Sequence, residues 1–163
     1  MTDDVTMTRR TWLASMMGRI AGASALMTLL PSRARAEEAS VALTVYKDPS
    51  CGCCKKWVAH LTQNGFTPFA KDRTDMSALK DSLGIPVALR SCHTAIAGKL
   101  VIEGHVPAAD VKRFLATSPK GVLGLAVPGM PSGSPGMEMS GQSDRYDVVA
   151  FTADGKTSVF ATH

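Results

Sequence analysis

Three cysteines crowd into four residues, Cys51-Gly52-Cys53-Cys54, directly after a strand-like run at 41–46 and at the start of a helix-like run at 53–64. Amides at the beginning of a helix stabilise a thiolate, so this placement makes the thiols reactive. A lone buried cysteine behaves as a small apolar residue, whereas clustered cysteines react or bind soft metals. The sequence therefore predicts a strand–helix unit built around thiolate chemistry.

The first 36 residues have the pattern of an export signal. Thr8-Arg9-Arg10-Thr11-Trp12-Leu13 is a twin-arginine start, an apolar stretch runs to residue 30, and Ala34-Arg35-Ala36 offers a cleavage site. Arg19 interrupts the apolar stretch and no stop-transfer pattern follows, which favours a cleaved signal over an uncleaved anchor. We therefore expect a periplasmic protein, exported by a twin-arginine-type signal peptide (1–36), with one domain at 37–163 and no membrane segment after cleavage.

The charge of the chain lies mostly in this leader. It holds five arginines and two acidic residues, which leaves 13 basic and 12 acidic residues in 37–163. A near-neutral domain lacks the basic surface that nucleic acid requires, so no nucleic-acid partner is expected. Its 127 residues fit one domain that can bury a real core.

Beyond the leader, hydrophobic periodicity and turn residues predict the order β-α-β-α-β-β-α. The strands are expected at 41–46, 66–71, 94–97 and 100–103, and the helices at 53–64, 76–83 and 107–116. This order is that of an α/β, thioredoxin-like fold. A long Gly/Pro/Met-rich loop at 123–142 and a C-terminal β-hairpin at 146–160 follow it.

The cysteine spacing leaves two chemistries open. Cys51 and Cys54 form the C-x-x-C pair of a thiol–disulfide oxidoreductase, with Cys51 as nucleophile and Cys54 as resolving thiol. Cys53 would compete for that disulfide, but it suits Cu(I), which accepts low coordination and bridging sulfur. A mononuclear zinc site normally draws its ligands from separated pairs, which makes adjacent cysteines awkward for it.

Cys92 precedes the third predicted strand. In a thioredoxin-like fold this position lies beside the C-x-x-C pair and is normally flanked by a cis-proline, but no proline stands immediately before the strand here. Cys92 is therefore expected to meet the cluster, and the missing proline removes a substrate-binding feature of the oxidoreductases. Both points favour metal binding over disulfide exchange.

Histidine and methionine residues offer further donors. Met130 and Met137 are candidate thioether ligands, or packing residues of the loop. His93 is a candidate ligand or ligand-supporting residue, although strand alternation would point it away from Cys92. His105 is a candidate either for the site or for a hydrogen-bonding role in the core or in a turn, and for His60 a surface role is favoured.

The chain resembles the small exported family of CXCC metal-binding proteins to which the copper-resistance protein CopG belongs. The resemblance spans residues 46–138 and includes several separate motifs. These are Cys51-Gly52-Cys53-Cys54-Lys55-Lys56-Trp57, Ser91-Cys92-His93-Thr94-Ala95, Ile102-Glu103-Gly104-His105-Val106-Pro107-Ala108-Ala109-Asp110, Gly124-Leu125-Ala126-Val127-Pro128-Gly129-Met130-Pro131 and Ser134-Pro135-Gly136-Met137-Glu138. It implies a thioredoxin-like periplasmic domain that binds copper through its cysteines and cycles it between redox states.

The residues and the resemblance together lead to one expectation. Cu(I), with zinc or silver as alternatives, is held in a multinuclear thiolate cluster by Cys51, Cys53, Cys54 and Cys92. The role is copper resistance and handling, with other copper-handling periplasmic proteins as partners, and metal binding is favoured over catalysis. The oxidoreductase using Cys51 and Cys54 remains the alternative, and a structural zinc domain is a third interpretation.

Overall fold

The computed structural model describes residues 40–117 and 119–163. The predicted signal peptide at 1–36 lies outside the described residues, so the leader and the domain boundary at 37 remain predictions. In the described part of the chain, no helix has the length and apolar character needed to cross a membrane.

The elements follow the predicted order from the first strand to the third helix. They are β1 (Val41–Lys47), α1 (Gly52–Gln63), β2 (Phe66–Asp72), α2 (Met76–Ser82), a 3₁₀ turn (Val87–Leu89), β3 (His93–Ala97), β4 (Leu100–Glu103), α3 (Ala108–Thr117), β5 (Val122–Ala126), β6 (Asp147–Thr152) and β7 (Thr157–Thr162). The predicted C-terminal hairpin is present as β6 and β7. The stretch 85–91, which has no clear period in the sequence, contains the 3₁₀ turn.

The seven strands of the described residues belong to one sheet in the order β2-β1-β3-β4-β5-β6-β7. The pairs β1–β2 and β4–β5 are parallel, and the other four pairs are antiparallel. Pro68 within β2 predicts an edge strand or an irregular start, and β2 lies at one end of the strand order. The α/β fold class is therefore confirmed as a mixed sheet packed with three helices.

The core lies on both faces of the sheet because successive strand residues point to opposite sides. In β4, Ile102 joins a cluster with Trp57 of α1 and Phe114 of α3. Its neighbour Val101 joins a second cluster with Phe151 of β6, on the side covered by the segment after α2. Helices α1 and α3 therefore pack on the same face of the sheet.

One predicted loop begins with a strand. Residues 123–142 were expected to be irregular, but β5 pairs with β4 on one side and with β6 on the other. Within β5, Gly124 is a packing requirement: a Cβ there would lie 2.2 Å from the carbonyl oxygen of Val101 and 2.8 Å from the ring of Phe151. The irregular segment starts after β5, at residue 127.

Candidate metal centre

Cys51 is the N-cap residue of α1, which brings the cysteine cluster to the positive end of the helix dipole. Its sulfur accepts a hydrogen bond from the backbone N–H of Cys54 at 3.3 Å. A tight turn leads into the helix: the backbone N–H of Cys51 donates to the carbonyl of Asp48 at 3.1 Å, and the N–H of Ser50 donates to the Asp48 carboxylate at 2.8 Å. The turn after β1 therefore directs the chain into α1, with Cys51 at the N-cap and Cys53 and Cys54 in the first helical turn.

Cys51 and Cys54 are joined by a disulfide in this structure, with their Cα atoms 5.4 Å apart. They lie almost one helical turn from each other, which brings the two side chains to bonding distance. This pair is the one that the oxidoreductase alternative requires. Cys53 and Cys92 are free thiols, so the structure describes the protein with one thiol pair oxidised.

Cys53 links the disulfide to Cys92. Its Sγ lies 3.5 Å from the Sγ of Cys51 and 3.9 Å from the Sγ of Cys92. The sulfur atoms of all four cysteines lie within 4.8 Å of one another. The structure thus brings Cys92 to the cluster, as its position before β3 predicts.

The environment of Cys92 disfavours an isolated thiolate. Burial, together with the neighbouring Cys53 sulfur, raises the pKa of the Cys92 thiol to about 12. At neutral pH this thiol is protonated and a poor nucleophile. A soft cation bound here would replace the proton and supply the compensating positive charge.

His105 contacts Cys92 from the end of β4. It is fully buried, its Nε2 lies 3.1 Å from the Sγ of Cys92, and its Nδ1 lies 2.7 Å from the carbonyl oxygen of Pro135. Because a carbonyl only accepts, Nδ1 carries the proton and Nε2 presents a lone pair to the sulfur. Burial lowers the pKa of His105, so the ring is neutral at neutral pH. Metal-ligating histidines are held in this way, with the second nitrogen on a backbone carbonyl.

His93 also contacts Cys92, contrary to the alternation expected for adjacent strand residues. Its Nδ1 lies 3.3 Å from the Cys92 sulfur. β3 begins at His93, so Cys92 lies in the bend before the strand and the alternation rule does not relate the two side chains. The buried ring packs on Trp57, with centroids 4.4 Å apart, and on His105, with centroids 4.9 Å apart.

The second nitrogen of the His93 ring, Nε2, is buried and has no hydrogen-bond partner of standard geometry among the described residues. Burial, with the nearby His105 and Lys80, holds the pKa of His93 well below its usual value. Cys92, His93 and His105 form a second donor group within 4.8 Å that shares Cys92 with the four-cysteine group. An uncharged, incompletely hydrogen-bonded imidazole at this place suits a site for a metal ion.

The hairpin register predicted from the sequence places His105 beside Cys92, although its position after a glycine also fits a role in a turn. The predicted turn at 98–99 fixes the register of the β3–β4 hairpin, in which Thr94 lies opposite Glu103. Continuing that register by two residues places Cys92 opposite His105. Hairpin geometry, rather than any motif around the histidine, identifies it as a site residue.

The Gly/Pro/Met-rich loop crosses the first turn of α1 beside the cysteines. Gly136 has a φ of +88°, and a Cβ there would lie 2.9 Å from the carbonyl oxygen of Cys53 and 2.9 Å from the backbone nitrogen of Trp57. The next residue, Met137, is partly buried, whereas Met130 is 54% exposed. Of the two candidate thioethers, Met137 therefore belongs to the segment that lies against the cysteine helix, and Met130 is at the surface.

The chemistry of the donors is soft. Thiolate sulfur and imidazole nitrogen favour Cu(I) and Zn(II) over the hard cations that carboxylates bind. The same sulfur atoms also support thiol–disulfide exchange, for which Cys51 and Cys54 already form the oxidised pair.

Comparisons with known proteins agree with this geometry. The family of proteins of unknown function DUF411 matches residues 89–137, which contain Cys92, His93 and His105. Two solved structures, copper resistance protein CopG in Form 1 and in Form 2, match with TM-scores of 0.72 and 0.73 and sequence identities of 46% and 45%. Each match covers 76% of this chain and 98% of the CopG chain.

The chain belongs to the CopG family. The family resemblance predicted from the cysteine motifs is thereby confirmed, as is a mixed α/β fold shared with CopG. Among curated proteins no sequence matches the chain.

Proposed function

We propose that this CopG-family protein is a copper-binding protein whose metal site is the four-cysteine cluster. The observation that carries the proposal is the convergence of Cys51, Cys53, Cys54 and Cys92, with all sulfur atoms within 4.8 Å. The relatives that share the fold are named as copper resistance proteins. Reduction of the Cys51–Cys54 disulfide makes all four sulfurs available as ligands.

The proposed metal state is Cu(I) in a multinuclear, thiolate-bridged cluster. Cu(I) accepts two or three sulfur ligands and shared thiolates, so several ions fit a crowded set of cysteines better than one tetrahedral ion does. The Cys53 sulfur, between those of Cys51 and Cys92, stands where a bridging ligand is needed. His105 and His93 add imidazole nitrogen beside Cys92, and Met137 is the better placed thioether.

Redox conversion of copper is the finer part of the proposal. Copper is the substrate here, and the two thiolates of Cys51 and Cys54 are the electron donors. Their oxidation forms one S–S bond and releases two electrons, which balances the reduction of two Cu(II) ions to two Cu(I) ions. Cys53 and Cys92 stay reduced and keep two thiol ligands for the product. The disulfide between Cys51 and Cys54 supports this division of roles.

Metal content provides the direct test. The reduced chain is loaded anaerobically with Cu(I) and Zn(II) together, and bound metal is counted by mass spectrometry. We expect more than one copper per chain, with fewer in Cys53→Ser and in Cys92→Ser and an unchanged number in the control Met130→Leu at the exposed position. A chain that binds only zinc, or whose copper content is the same in both cysteine variants, contradicts the proposal.

A second candidate function is thiol–disulfide exchange, which the Cys51–Cys54 disulfide favours directly. In that function Cys51 attacks and Cys54 resolves. Insulin reduction separates the two candidates, because an oxidoreductase keeps its activity in Cys53→Ser and Cys92→Ser and loses it in Cys51→Ser. In the copper-binding protein, Cys53→Ser and Cys92→Ser lower the metal content, and these two variants separate the two candidates.

The proposed setting is the periplasm, after export by the twin-arginine signal. Arg9 and Arg10 support this part of the proposal, and copper tolerance supplies the role, with other copper-handling proteins as partners. Replacing both arginines with lysine is expected to leave the chain uncleaved in the cytoplasm, which cell fractionation measures. Cleaved protein in the periplasm of that variant contradicts twin-arginine export.

A further inference from the structure

A buried ion pair lies behind the cysteine site and joins α2 to β4. Lys80 and Glu103 form a salt bridge in which the side chains are 5% and 0% exposed. An ion pair taken out of water loses about as much hydration energy as it gains in attraction, and apolar pairs often replace it without loss of stability. Stability alone therefore does not account for two charges in the interior here.

The ion pair holds the backbone immediately before Cys92. The backbone N–H of Ser91 donates to Glu103 Oε1 at 2.7 Å, and Lys80 Nζ donates to the carbonyl oxygen of Ser91 at 2.6 Å. On the other side of the cysteine, the hydroxyl of Thr94 donates to Glu103 Oε2 at 2.6 Å. The ion pair therefore hydrogen-bonds the residues on both sides of the Cys92-His93 pair, Ser91 and Thr94.

These hydrogen bonds hold residues 91 and 92, which belong to neither a helix nor a strand. Cys92 lies in a bend before β3, and no proline ring restricts the backbone next to it. Charge-assisted hydrogen bonds to both polar groups of one peptide residue are stronger and more directional than neutral ones. We propose that Lys80 and Glu103 are positioning residues that hold the Cys92 sulfur against the Cys53 sulfur by fixing the backbone of Ser91.

The positioning of the Cys92 sulfur needs no metal. Only the expected effect of this positioning on copper binding rests on the proposed function. A background with Cys51→Ser and Cys54→Ser leaves the two thiols whose sulfurs lie 3.9 Å apart. In glutathione redox buffers, Cys53 and Cys92 then form one S–S bond as oxidised glutathione is reduced to two glutathione thiols. The equilibrium constant measures how well the fold holds the two sulfurs together.

The decisive variant is Lys80→Met/Glu103→Leu in that background. It removes both charges at once, so no unpaired ion is left in the interior. We expect a fall of tenfold or more in the equilibrium constant, with far-UV circular dichroism and the thermal midpoint showing a folded protein. The control Val111→Ala lowers stability through a cavity in the core and is expected to leave the constant within twofold of the background.

A folded double variant whose equilibrium constant stays within twofold of the background overturns the proposal. An equal fall in Val111→Ala also overturns it, because the effect then follows stability rather than the ion pair. Lys80→Leu/Glu103→Met, which also removes both charges and leaves no unpaired ion, carries the same two outcomes if the first double variant does not fold.

Copper content in the four-cysteine chain separates this proposal from the proposed function. Lower copper content in Lys80→Met/Glu103→Leu, together with the altered thiol equilibrium, supports both. An altered thiol equilibrium with unchanged copper content upholds the positioning role and contradicts Cys92 as a copper ligand. A chain that binds no copper at all contradicts the proposed function, while the thiol equilibrium still decides the positioning role.

Discussion

Cys92 is the residue at which the two donor groups meet. Its sulfur lies 3.9 Å from the Cys53 sulfur, 3.3 Å from a nitrogen of His93 and 3.1 Å from a nitrogen of His105. Neither imidazole is charged at neutral pH because burial lowers both pKa values. Burial and the neighbouring Cys53 sulfur therefore raise the pKa of the Cys92 thiol with no charged imidazole to oppose them, so the thiol keeps its proton in the metal-free protein.

Alkylation of Cys92 tests this environment. In the folded, metal-free chain we expect the rate with iodoacetamide to rise about tenfold per pH unit up to at least pH 10, since the thiolate fraction grows that steeply below the pKa. Peptide mapping at low conversion measures the rate at Cys92 alone. The urea-unfolded chain is the control, where an ordinary cysteine pKa of about 8.5 makes the rate level off above roughly pH 9. The same plateau in the folded chain contradicts the elevated pKa.

At the scale of elements, α1 is joined to α3 through a histidine. The Nε2 of His60, in the last turn of α1, accepts a hydrogen bond at 3.1 Å from the backbone N–H of Ala108, the first residue of α3. The sequence favoured a surface role for His60, but the side chain is partly buried. A nitrogen that accepts from an amide is unprotonated, so this contact requires the neutral ring.

The stability of the chain should depend on pH through His60. Burial lowers the pKa of His60 in the folded state, so the unfolded chain takes up a proton first as the pH falls. The contribution of this contact is complete above the unfolded pKa of about 6.5 and is lost as the pH falls through the lower folded value. We expect the advantage in Tm of the wild type over His60→Gln, whose amide oxygen still accepts, to shrink between pH 7 and pH 5. A difference that stays constant over this range contradicts the role of the neutral ring.

The contact between the loop and α1 gives a second prediction at this scale. Gly136→Ala combines a positive φ with a Cβ that would meet the backbone of Cys53 and Trp57. The matched control is Gly141→Ala, where φ is also positive, at +77°, but nothing lies within 4 Å of the added carbon. Urea unfolding should show a loss of about 1 kcal/mol for the control from backbone strain alone and a clearly larger loss for Gly136→Ala. Equal losses would mean that the loop does not pack on α1.

For the whole molecule, the apolar core accounts for folding without a metal. Trp57, Phe114 and Phe151 are fully buried, and the two clusters to which they belong cover both faces of the sheet. Domains that depend on a structural metal instead have little core of their own.

Metal removal checks this point. After reduction and treatment with a chelator, we expect the chain to keep its far-UV circular dichroism and a cooperative thermal transition. Bound copper should raise Tm through mass action, because the four sulfurs converge in the folded state, which therefore binds copper more tightly than the unfolded chain does. Collapse of the circular dichroism signal on chelation supports the structural zinc interpretation instead.

The order of strands and helices is determined locally, by hydrophobic period, turn glycines and helix caps, which is why the β-α-β-α-β-β-α order was predictable from sequence. The contact among Cys51, Cys53 and Cys54 follows from their adjacency, and that of Cys92 follows from the fold. The register of the β3–β4 hairpin places His105 opposite Cys92, whereas two features needed the tertiary structure: the strand β5 and the ion pair of Lys80 and Glu103. Each depends on segments that are distant along the chain and meet only in the folded sheet. Local sequence preference carries no information about such contacts, because burial and pairing partners exist only once the chain has folded.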